Sequence, residues 1–363
     1  MYKALSRSLL SAIPITALAM TTTLANAAFG PAAFASAAES TPNYWGFIDS
    51  SGKLAIEPKF LSVSDFHEGL AAVQISVKDG DASTSEKWGF IDKSGKMAIE
   101  AQFDEVHAFS EGLAAARQGK WGFIDKSGKF VIEPQFDDAD RFSEGLAPAA
   151  IGTLRWGFID KSGHFKIEPN FKSAQPFADK RAAVLFGDGS NSYSFHMSED
   201  IYDVRGGRWS YIDKEGQMVI DSRFDASGLF SQGLAPAAVG ANQGTNQPDK
   251  WGFINRDGYL TIKPQFNSVH AASEECAAVQ FGTWKKIGKG HRSWIPGKWG
   301  YINLKGTTLI EPQYQGADRF SEGLASVLVD QKYGYINKKG KMVIEPKYRA
   351  TGEFHEQLAP VQP

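Results

Sequence analysis

This sequence has few of the features that would assign it to a common class of enzyme or binding protein. It contains one cysteine, Cys276, which excludes an internal disulfide framework and a zinc site built from several cysteines. Its 39 basic and 41 acidic residues give a formal net charge of −2, so no nucleic-acid partner is expected. Phosphate-binding loops, dinucleotide fingerprints and Gly-x-Ser-x-Gly motifs are absent from the sequence. We therefore predict no cofactor and no catalytic residue.

Long hydrophobic runs are also absent, except near the amino terminus. Two basic residues there precede an apolar stretch from Leu9 to Met20, and small-residue cleavage motifs end at Ala27 and Ala37. This pattern predicts a signal peptide over 1–37, cleaved after Ala27 or Ala37, and then a short linker over 38–43. An uncleaved anchor is the alternative. We expect export to the periplasm, the cell surface or the medium, with no membrane insertion after the signal is removed.

After residue 44 the chain repeats one pattern eight times. Each unit begins with the motif W-G-F-I-D-K-S-G-K, continues through I-E-P-Q-F, and ends in a block of the form F-S-E-G-L-A-x-V. Residues 44–363 number 320, so the mean period is 40 residues, which is typical of propellers and solenoids. The units begin at the aromatic residues Trp45, Trp88, Trp121, Trp156, Trp209, Trp251, Trp299 and Tyr333.

These motifs resemble those of the bacterial WG-repeat family, also called KWG repeats. The resemblance covers nearly all of the chain after the predicted signal peptide. It implies no activity, cofactor or catalytic residue, because the family is defined by its repeat. The departures from the pattern are Ser210 for the first Gly, Tyr333 for Trp, Arg181 and Cys276 for the Leu of the second block, and Lys180, Glu275 and Gln357 for the Gly before it.

The pattern within a unit is that of short β-strands. Residues 121–125 alternate with the period of a strand, and residues 130–132 are aromatic or β-branched, as in a partner strand. Residues 125–128, Asp-Lys-Ser-Gly, suit a type I turn followed by a left-handed glycine. Pro134 is expected to end the partner strand because it has no N–H. Apolar residues on both strand faces predict sheets that neighbouring repeats cover on both sides, and no helical period persists.

The fold class predicted from these units is all-β, and the two ends of the array suggest how it closes. The array begins at the Trp strand without a preceding L-A-x-V strand, and it ends at residues 358–361 without a following Trp strand. Pairing 358–361 with 45–49 would remove both open edges, as in a β-propeller. We favour this closed ring. An open β-solenoid is the alternative, because only three strands per unit are evident.

The polar residues of the repeats have structural explanations. The Asp or Asn that follows each Trp strand is expected to cap the turn rather than to act in catalysis or calcium binding. Four histidines (His67, His107, His270 and His355) precede the E-G-L-A block, but they lack a metal-ligand spacing. No metal site is predicted, although one assembled across repeats is the alternative. Cys276 replaces a repeat Leu and is expected to be a small buried hydrophobe.

Insertions are the variable part of the sequence, and the long ones all fall between the L-A-x-V block and the next aromatic residue. We expect them on one face of the array, where repeat proteins often bind. Residues 74–87 and 238–250 are predicted to be solvated loops. Residues 185–208 form an acidic insertion and residues 280–298 a basic one, both with aromatics beyond the repeat pattern. The candidate ligand-binding residues are Trp284, Lys285, Lys286, Arg292, Trp294, Tyr193, Phe195 and Tyr202.

Three functional hypotheses follow. The first is a non-enzymatic exported module that binds or scaffolds a protein or glycan of the cell envelope through the insertion-bearing face. The second is a structural repeat protein without a specific ligand, in which the insertions cover weakened repeats or pair with each other. The third is an enzyme with a site on that face.

Overall fold

A computed structural model describes residues 43–363 except 80–82, 153–154, 187–192, 199–200, 206–207, 240–249, 287–291 and 296. The structure describes only the backbone of residues 193–198, 201–205, 283–286 and 292–295. The predicted signal peptide over 1–37 and the linker as far as residue 42 lie outside the described residues. All regular structure in the described part is β-strand, and none of it is a helix long and apolar enough to cross a membrane.

Eight small antiparallel sheets form the blades of a β-propeller, which confirms the predicted all-β class. Each blade contains, in spatial order, a short strand of two or three residues, the L-A-x-V strand, the Trp strand and the I-E-P strand. Because the first two strands belong to one repeat and the last two to the next, every blade is shared between consecutive repeats.

The strands of the first four blades, in this order, are β3 (Ser62–Val63), β4 (Leu70–Asp79), β5 (Ser83–Asp92) and β6 (Met97–Phe103); β7 (Glu105–Val106), β8 (Ala114–Gln118), β9 (Lys120–Ile124) and β10 (Phe130–Phe136); β11 (Asp138–Ala139), β12 (Ala147–Ile151), β13 (Arg155–Ile159) and β14 (Phe165–Phe171); β15 (Ser173–Ala174), β16 (Ala182–Phe186), β19 (Arg208–Ile212) and β20 (Met218–Phe224).

The strands of the last four blades are β21 (Ala226–Gly228), β22 (Leu234–Val239), β23 (Lys250–Asn255) and β24 (Leu260–Phe266); β25 (Ser268–Val269), β26 (Cys276–Gln280), β29 (Trp299–Asn303) and β30 (Thr308–Tyr314); β31 (Gly316–Ala317), β32 (Leu324–Val329), β33 (Lys332–Asn337) and β34 (Met342–Tyr348); β35 (Ala350–Thr351), β36 (Leu358–Gln362), β1 (Trp45–Asp49) and β2 (Leu54–Phe60). The remaining strands are β17 (Tyr193–Ser198), β18 (Ile201–Arg205), β27 (Thr283–Lys286) and β28 (Arg292–Ile295).

The eighth blade joins the two ends of the repeat array. Strand β36 pairs with β1 in an antiparallel register that runs from Gly46 opposite Val361 to Asp49 opposite Leu358. This pairing is the one that the complementary ends of the array predict. The ring is therefore closed, and the open β-solenoid is wrong.

The short strand is the element that the sequence did not reveal. In the first blade, Ser62 and Val63 pair with Gln74 and Val73 and add a fourth strand to the three that were predicted. Two residues are too few to show a period of two. With this strand, each blade has the four strands that are usual in propellers.

A bulge in each blade explains the Gly that seven of the eight Trp strands carry, and it corrects one prediction. Strand β10 does not end at Pro134 but runs to Phe136, with a register shift between the pairs that Ile132 and Phe136 form with β9. Pro134 lies in this shift, where no ladder N–H is required. A Cβ on Gly122 would lie 2.5 Å from the Ile132 carbonyl oxygen and 2.8 Å from the Pro134 nitrogen, so a side chain at this position would have to displace the bulge.

The hydrophobic core lies between blades, as the apolar residues on both strand faces predicted. In seven of the eight repeats, the aromatic residue two positions after the first Trp or Tyr packs on the Phe that opens the second block of the same repeat. Ring centroids are 4.7–4.9 Å apart in seven repeats, and the sixth repeat has Ala272 in place of the Phe. The pairs are Phe47–Phe66, Phe90–Phe109, Phe123–Phe142, Phe158–Phe177, Tyr211–Phe230, Tyr301–Phe320 and Tyr335–Phe354.

The hairpin turn after each Trp strand forms as predicted. Asp125 accepts hydrogen bonds through Oδ1 from the backbone N–H of Ser127 and of Lys129, and Gly128 has a φ of 81°. The equivalent Asp or Asn caps the turn in all eight repeats. A structural role therefore accounts for this set of side chains.

Candidate functional site

The antiparallel blades give the ring two faces of different character. The L-A-x-V strand of each blade ends at the junction that carries the insertions, and it begins beside the Asp-x-x-Gly turn that ends the Trp strand. All blades share this strand order, so the insertions emerge on one face and the turns on the other. We call these the insertion face and the turn face.

The basic insertion forms a β-hairpin of its own on the insertion face. Strands β27 and β28 pair as a separate two-stranded sheet, whose base is held by a 3.1 Å hydrogen bond from the Phe281 N–H to the Lys298 carbonyl. Trp284 lies directly opposite Trp294 in the register, and Lys286 lies opposite Arg292. The structure thus brings four of the candidate residues into two cross-strand pairs, and Lys285, the fifth in this insertion, lies opposite Ser293.

The acidic insertion also forms a hairpin, from strands β17 and β18. Tyr193 lies opposite Arg205, Phe195 opposite Asp203, and Tyr202 opposite His196. Strand β18 then pairs with β21, through Ile201 opposite Gly228 and Tyr202 opposite Ser227, so the hairpin extends the fifth blade to a six-stranded sheet. The two insertions therefore belong to different sheets.

Two insertions were predicted to be solvated loops. For residues 74–87 this prediction is wrong, because β4 and β5 continue as a ten-residue ladder to the pair Asp79 and Ser83. Residues 240–249 of the second lie outside the described part, while Val239 and Lys250 at its base are paired.

The turn face carries a closed circuit of hydrogen bonds that sequence reasoning missed. The side chain at the Glu position of each F-S-E-G block accepts a hydrogen bond from a backbone N–H in the equivalent turn of the next repeat, at 2.7–3.1 Å. For example, Gly112 donates to Glu68 and Gly69 donates to Glu356, which closes the circuit. The accepting residues are Glu68, Glu111, Glu144, Asp179, Gln232, Glu274, Glu322 and Glu356.

Ion pairs reinforce six of the eight links in this circuit. A Lys or Arg from the Asp-x-x-Gly turn two repeats further on lies 2.9–3.3 Å from the accepting carboxylate. The pairs are Glu68–Lys126, Glu111–Lys161, Glu144–Lys214, Asp179–Arg256, Glu274–Lys338 and Glu356–Lys93. Burial opposes ionisation of Glu356, but Lys93 and the Gly69 N–H outweigh it and lower the pKa of that carboxyl. The repeated pattern of side chains on the turn face thus has a structural role, because it links successive repeats around the ring.

The same turns explain why three repeat departures are strained. The Glu and Gly of each F-S-E-G block both have positive φ, a region that L-residues other than glycine avoid. Lys180, Glu275 and Gln357, which replace the Gly, adopt φ of 64°, 70° and 74°. Each still donates its backbone N–H to the circuit, so the conformation is kept at a cost in backbone strain.

Other residues considered for chemistry have structural surroundings. His107 stacks on Trp121 with ring centroids 5.1 Å apart, and His270 lies 5.2 Å from Trp299. Cys276 is 4% exposed, and burial raises the pKa of its thiol to about 11, which disfavours the reactive thiolate. These features agree with the expectation of a buried hydrophobe at Cys276.

The family model described as "WG containing repeat" matches the chain eight times, at residues 45–76, 88–120, 121–152, 156–189, 209–241, 251–282, 299–333 and 333–362. Among curated proteins, no sequence matches. Solved structures similar to the chain include a puromycin hydrolase, with 9% identity and a TM-score of 0.42, and apo AztD from Citrobacter koseri, with 12% identity and a TM-score of 0.39.

The coverage of these two similarities differs. The puromycin hydrolase match covers 82% of this chain and 55% of the hydrolase, so the chain spans about half the length of that protein. The AztD match covers 88% of this chain and 89% of that one. Because both TM-scores are below 0.5, neither similarity carries an argument about function.

Proposed function

Since the chain belongs to the WG-repeat family, we propose that it is a non-enzymatic, exported binding or scaffold protein of the cell envelope. The insertion face presents its site to a protein or glycan. Export follows from the predicted signal peptide over 1–37. The ligand-binding residues proposed are those of the two hairpins, and no catalytic group takes part.

The observation that carries this proposal is the contrast between the two faces. On the turn face, all eight repeats use the same side chains for one circuit. On the insertion face, single repeats add hairpins that the ring does not need, because other blades join the same strands by a tight turn, such as Asp330–Gln331. Variation confined to one face of a rigid scaffold is typical of a binding surface.

The basic hairpin is the better candidate for the primary contact. It forms a sheet of its own, with two Trp residues in one cross-strand pair and two cations in another. Such a combination suits an anionic or sugar-bearing ligand, through stacking and charge. The acidic hairpin has a specific structural role as well, because β18 covers the β21 edge of the fifth blade.

The experiment that tests the proposal compares two deletions from the same face. In the first variant, residues 282–297 are replaced by Asn-Gly, which preserves the pairing of Phe281 with Lys298. In the matched control, residues 240–249 are replaced by Asn-Gly between the paired Val239 and Lys250. Both are made in the chain that begins at residue 38, and circular dichroism and urea unfolding establish that both fold.

Each protein is then used to capture partners from a solubilised envelope fraction. We expect one partner to be retained by the parent chain and the control and lost by the 282–297 variant, and the double variant Trp284→Ala/Trp294→Ala to reproduce that loss. Equal capture of the partner by both deletion variants would show that the basic hairpin is not part of the binding site. Failure of the parent chain to capture any envelope component would favour a purely structural repeat protein.

A further inference from the structure

Ring closure brings together three metal-ligating side chains that are far apart in the sequence. Asp65 and His67 lie between β3 and β4 in the first blade, and His355 lies between β35 and β36 in the eighth. A ligand atom from each lies within 4.8 Å of the other two, and all three side chains are half-buried. We call these three residues the closure cluster.

The two histidines stand where the repeat normally uses a structural serine. Five of the other repeats have Ser at this position, and Ser110, for example, donates its hydroxyl to the Phe142 carbonyl of the next repeat at 2.7 Å. Histidine replaces this serine only in the first and last repeats. The replacements therefore meet at one place in the ring, with imidazole centroids 4.7 Å apart.

The surroundings of the cluster favour a cation. His355 Nε2 lies 3.9 Å from Asp65 Oδ2 and 3.6 Å from Glu353 Oε2, and Arg319 holds Glu353 by two hydrogen bonds of 2.9 and 3.0 Å. Two carboxylates beside one guanidinium leave a net negative charge around the imidazoles.

The Asp65 carboxylate of the cluster packs closely against the backbone at Gly352. A Cβ on Gly352 would lie 2.6 Å from Asp65 Oδ1, so the carboxylate occupies space that a larger residue at this position would take.

We propose that Asp65, His67 and His355 bind one divalent first-row transition ion, with zinc the ion that suits them best, and that the ion links the first repeat to the last. Two imidazoles and one carboxylate form a common zinc donor set, which leaves the fourth position to water. Tetrahedral zinc ligands lie roughly 3.3 Å apart at bond lengths of about 2.0 Å. The ligand atoms of the closure cluster, now within 4.8 Å of one another, would reach this distance by a modest rotation of the side chains. The ion stabilises the closed ring because it binds a site that exists only when the ends meet.

The repeats supply matched variants for the test. His67→Ser and His355→Ser install the residue that most other repeats have at this position, and Asp65→Ala installs the residue found at Ala108 and Ala271. The control is His164→Lys, an exposed turn position at which other repeats have Lys. All are made in the chain from residue 38 without a histidine tag.

Zinc is titrated at neutral pH by calorimetry, Co²⁺ by its visible absorption, and thermal unfolding is followed with and without zinc. We expect one zinc per chain, a higher unfolding temperature with zinc, and a loss of affinity of about tenfold or more in each of the three variants, with His164→Lys unchanged. Absence of stoichiometric zinc binding by the parent chain would overturn the proposal. Equal affinity in folded His67→Ser and His355→Ser variants would do so as well, and the cobalt spectrum decides whether imidazole ligation is lost where a variant is destabilised.

Discussion

Replacing Asp138 by Asn should make the ring more stable at neutral pH, although it removes a carboxylate. Burial in β11 raises the pKa of Asp138 to about 6, and the nearby Asp140 and Glu105 add to this, while the Ala139 N–H and His107 oppose it. The folded state therefore holds its proton more tightly than the unfolded state, where the pKa is near 3.8. The ionised carboxylate destabilises the fold above pH 6, and this cost falls as the pH drops from 6 towards 4.

The size of this effect follows from the two pKa values. A difference of about two units at about 1.4 kcal/mol per unit corresponds to about 3 kcal/mol in total, of which about 2 kcal/mol develops between pH 4 and pH 7, because the unfolded carboxyl is already partly ionised at pH 4. The free energy of unfolding of Asp138→Asn, relative to the parent chain, should thus rise by about 2 kcal/mol between pH 4 and pH 7. Taking this difference cancels the constant cost of burying an amide in place of an acid.

The assay is urea unfolding of both proteins at several pH values between 4 and 7. The control is Asp137→Asn, because Lys120 hydrogen-bonds to that adjacent carboxylate and lowers its pKa. This control should show no gain at neutral pH. A relative stability of Asp138→Asn that does not change with pH, or that falls as the pH rises, would refute the reasoning.

Two further predictions concern the backbone. Lys180→Gly and Gln357→Gly should each raise the free energy of unfolding by about 1 kcal/mol, because glycine adopts the left-handed conformation without strain, whereas Gly145→Ala should lower it by a similar amount. The measurement is unfolding in urea, and three variants as stable as the parent chain would show that these positions are not strained. Gly122→Ala should cost about 3 kcal/mol or more, because its Cβ would lie 2.5 Å from the Ile132 carbonyl oxygen; a loss below 1 kcal/mol, on the order of an ordinary surface change, would show that the bulge yields easily.

The repeat made most of the fold predictable from the sequence. The complementary ends at 45–49 and 358–361 predicted the closed ring, and the Asp-x-x-Gly spacing predicted the turns. The short strands, such as Ser62–Val63, were missed because two residues carry no periodicity. The predicted strand end at Pro134 was wrong because the prediction assumed a regular ladder, whereas the strand continues through a bulge.

The candidate site was less predictable because its parts depend on long-range pairing. The hairpin at Tyr193–Ser198 has an alternating pattern, Y-S-F-H, that could have indicated a strand, but its pairing with the fifth blade has no local signal. Glu68 and its equivalents carried one signal that the sequence offers, their repetition before a Gly in five of the eight repeats. His67 and His355 become neighbours only when the ring closes.

Both proposals depend on the closed ring, and backbone hydrogen exchange tests it most directly. The measurement follows exchange in the terminal strands Trp45–Asp49 and Leu358–Gln362, with the internal pair Ala147–Ile151 and Arg155–Ile159 as the reference. Closure predicts that the terminal strands are protected to the same extent as the internal pair, because β1 and β36 form an equivalent ladder. Fast exchange in both terminal strands, with the internal pair protected, would contradict the closed ring.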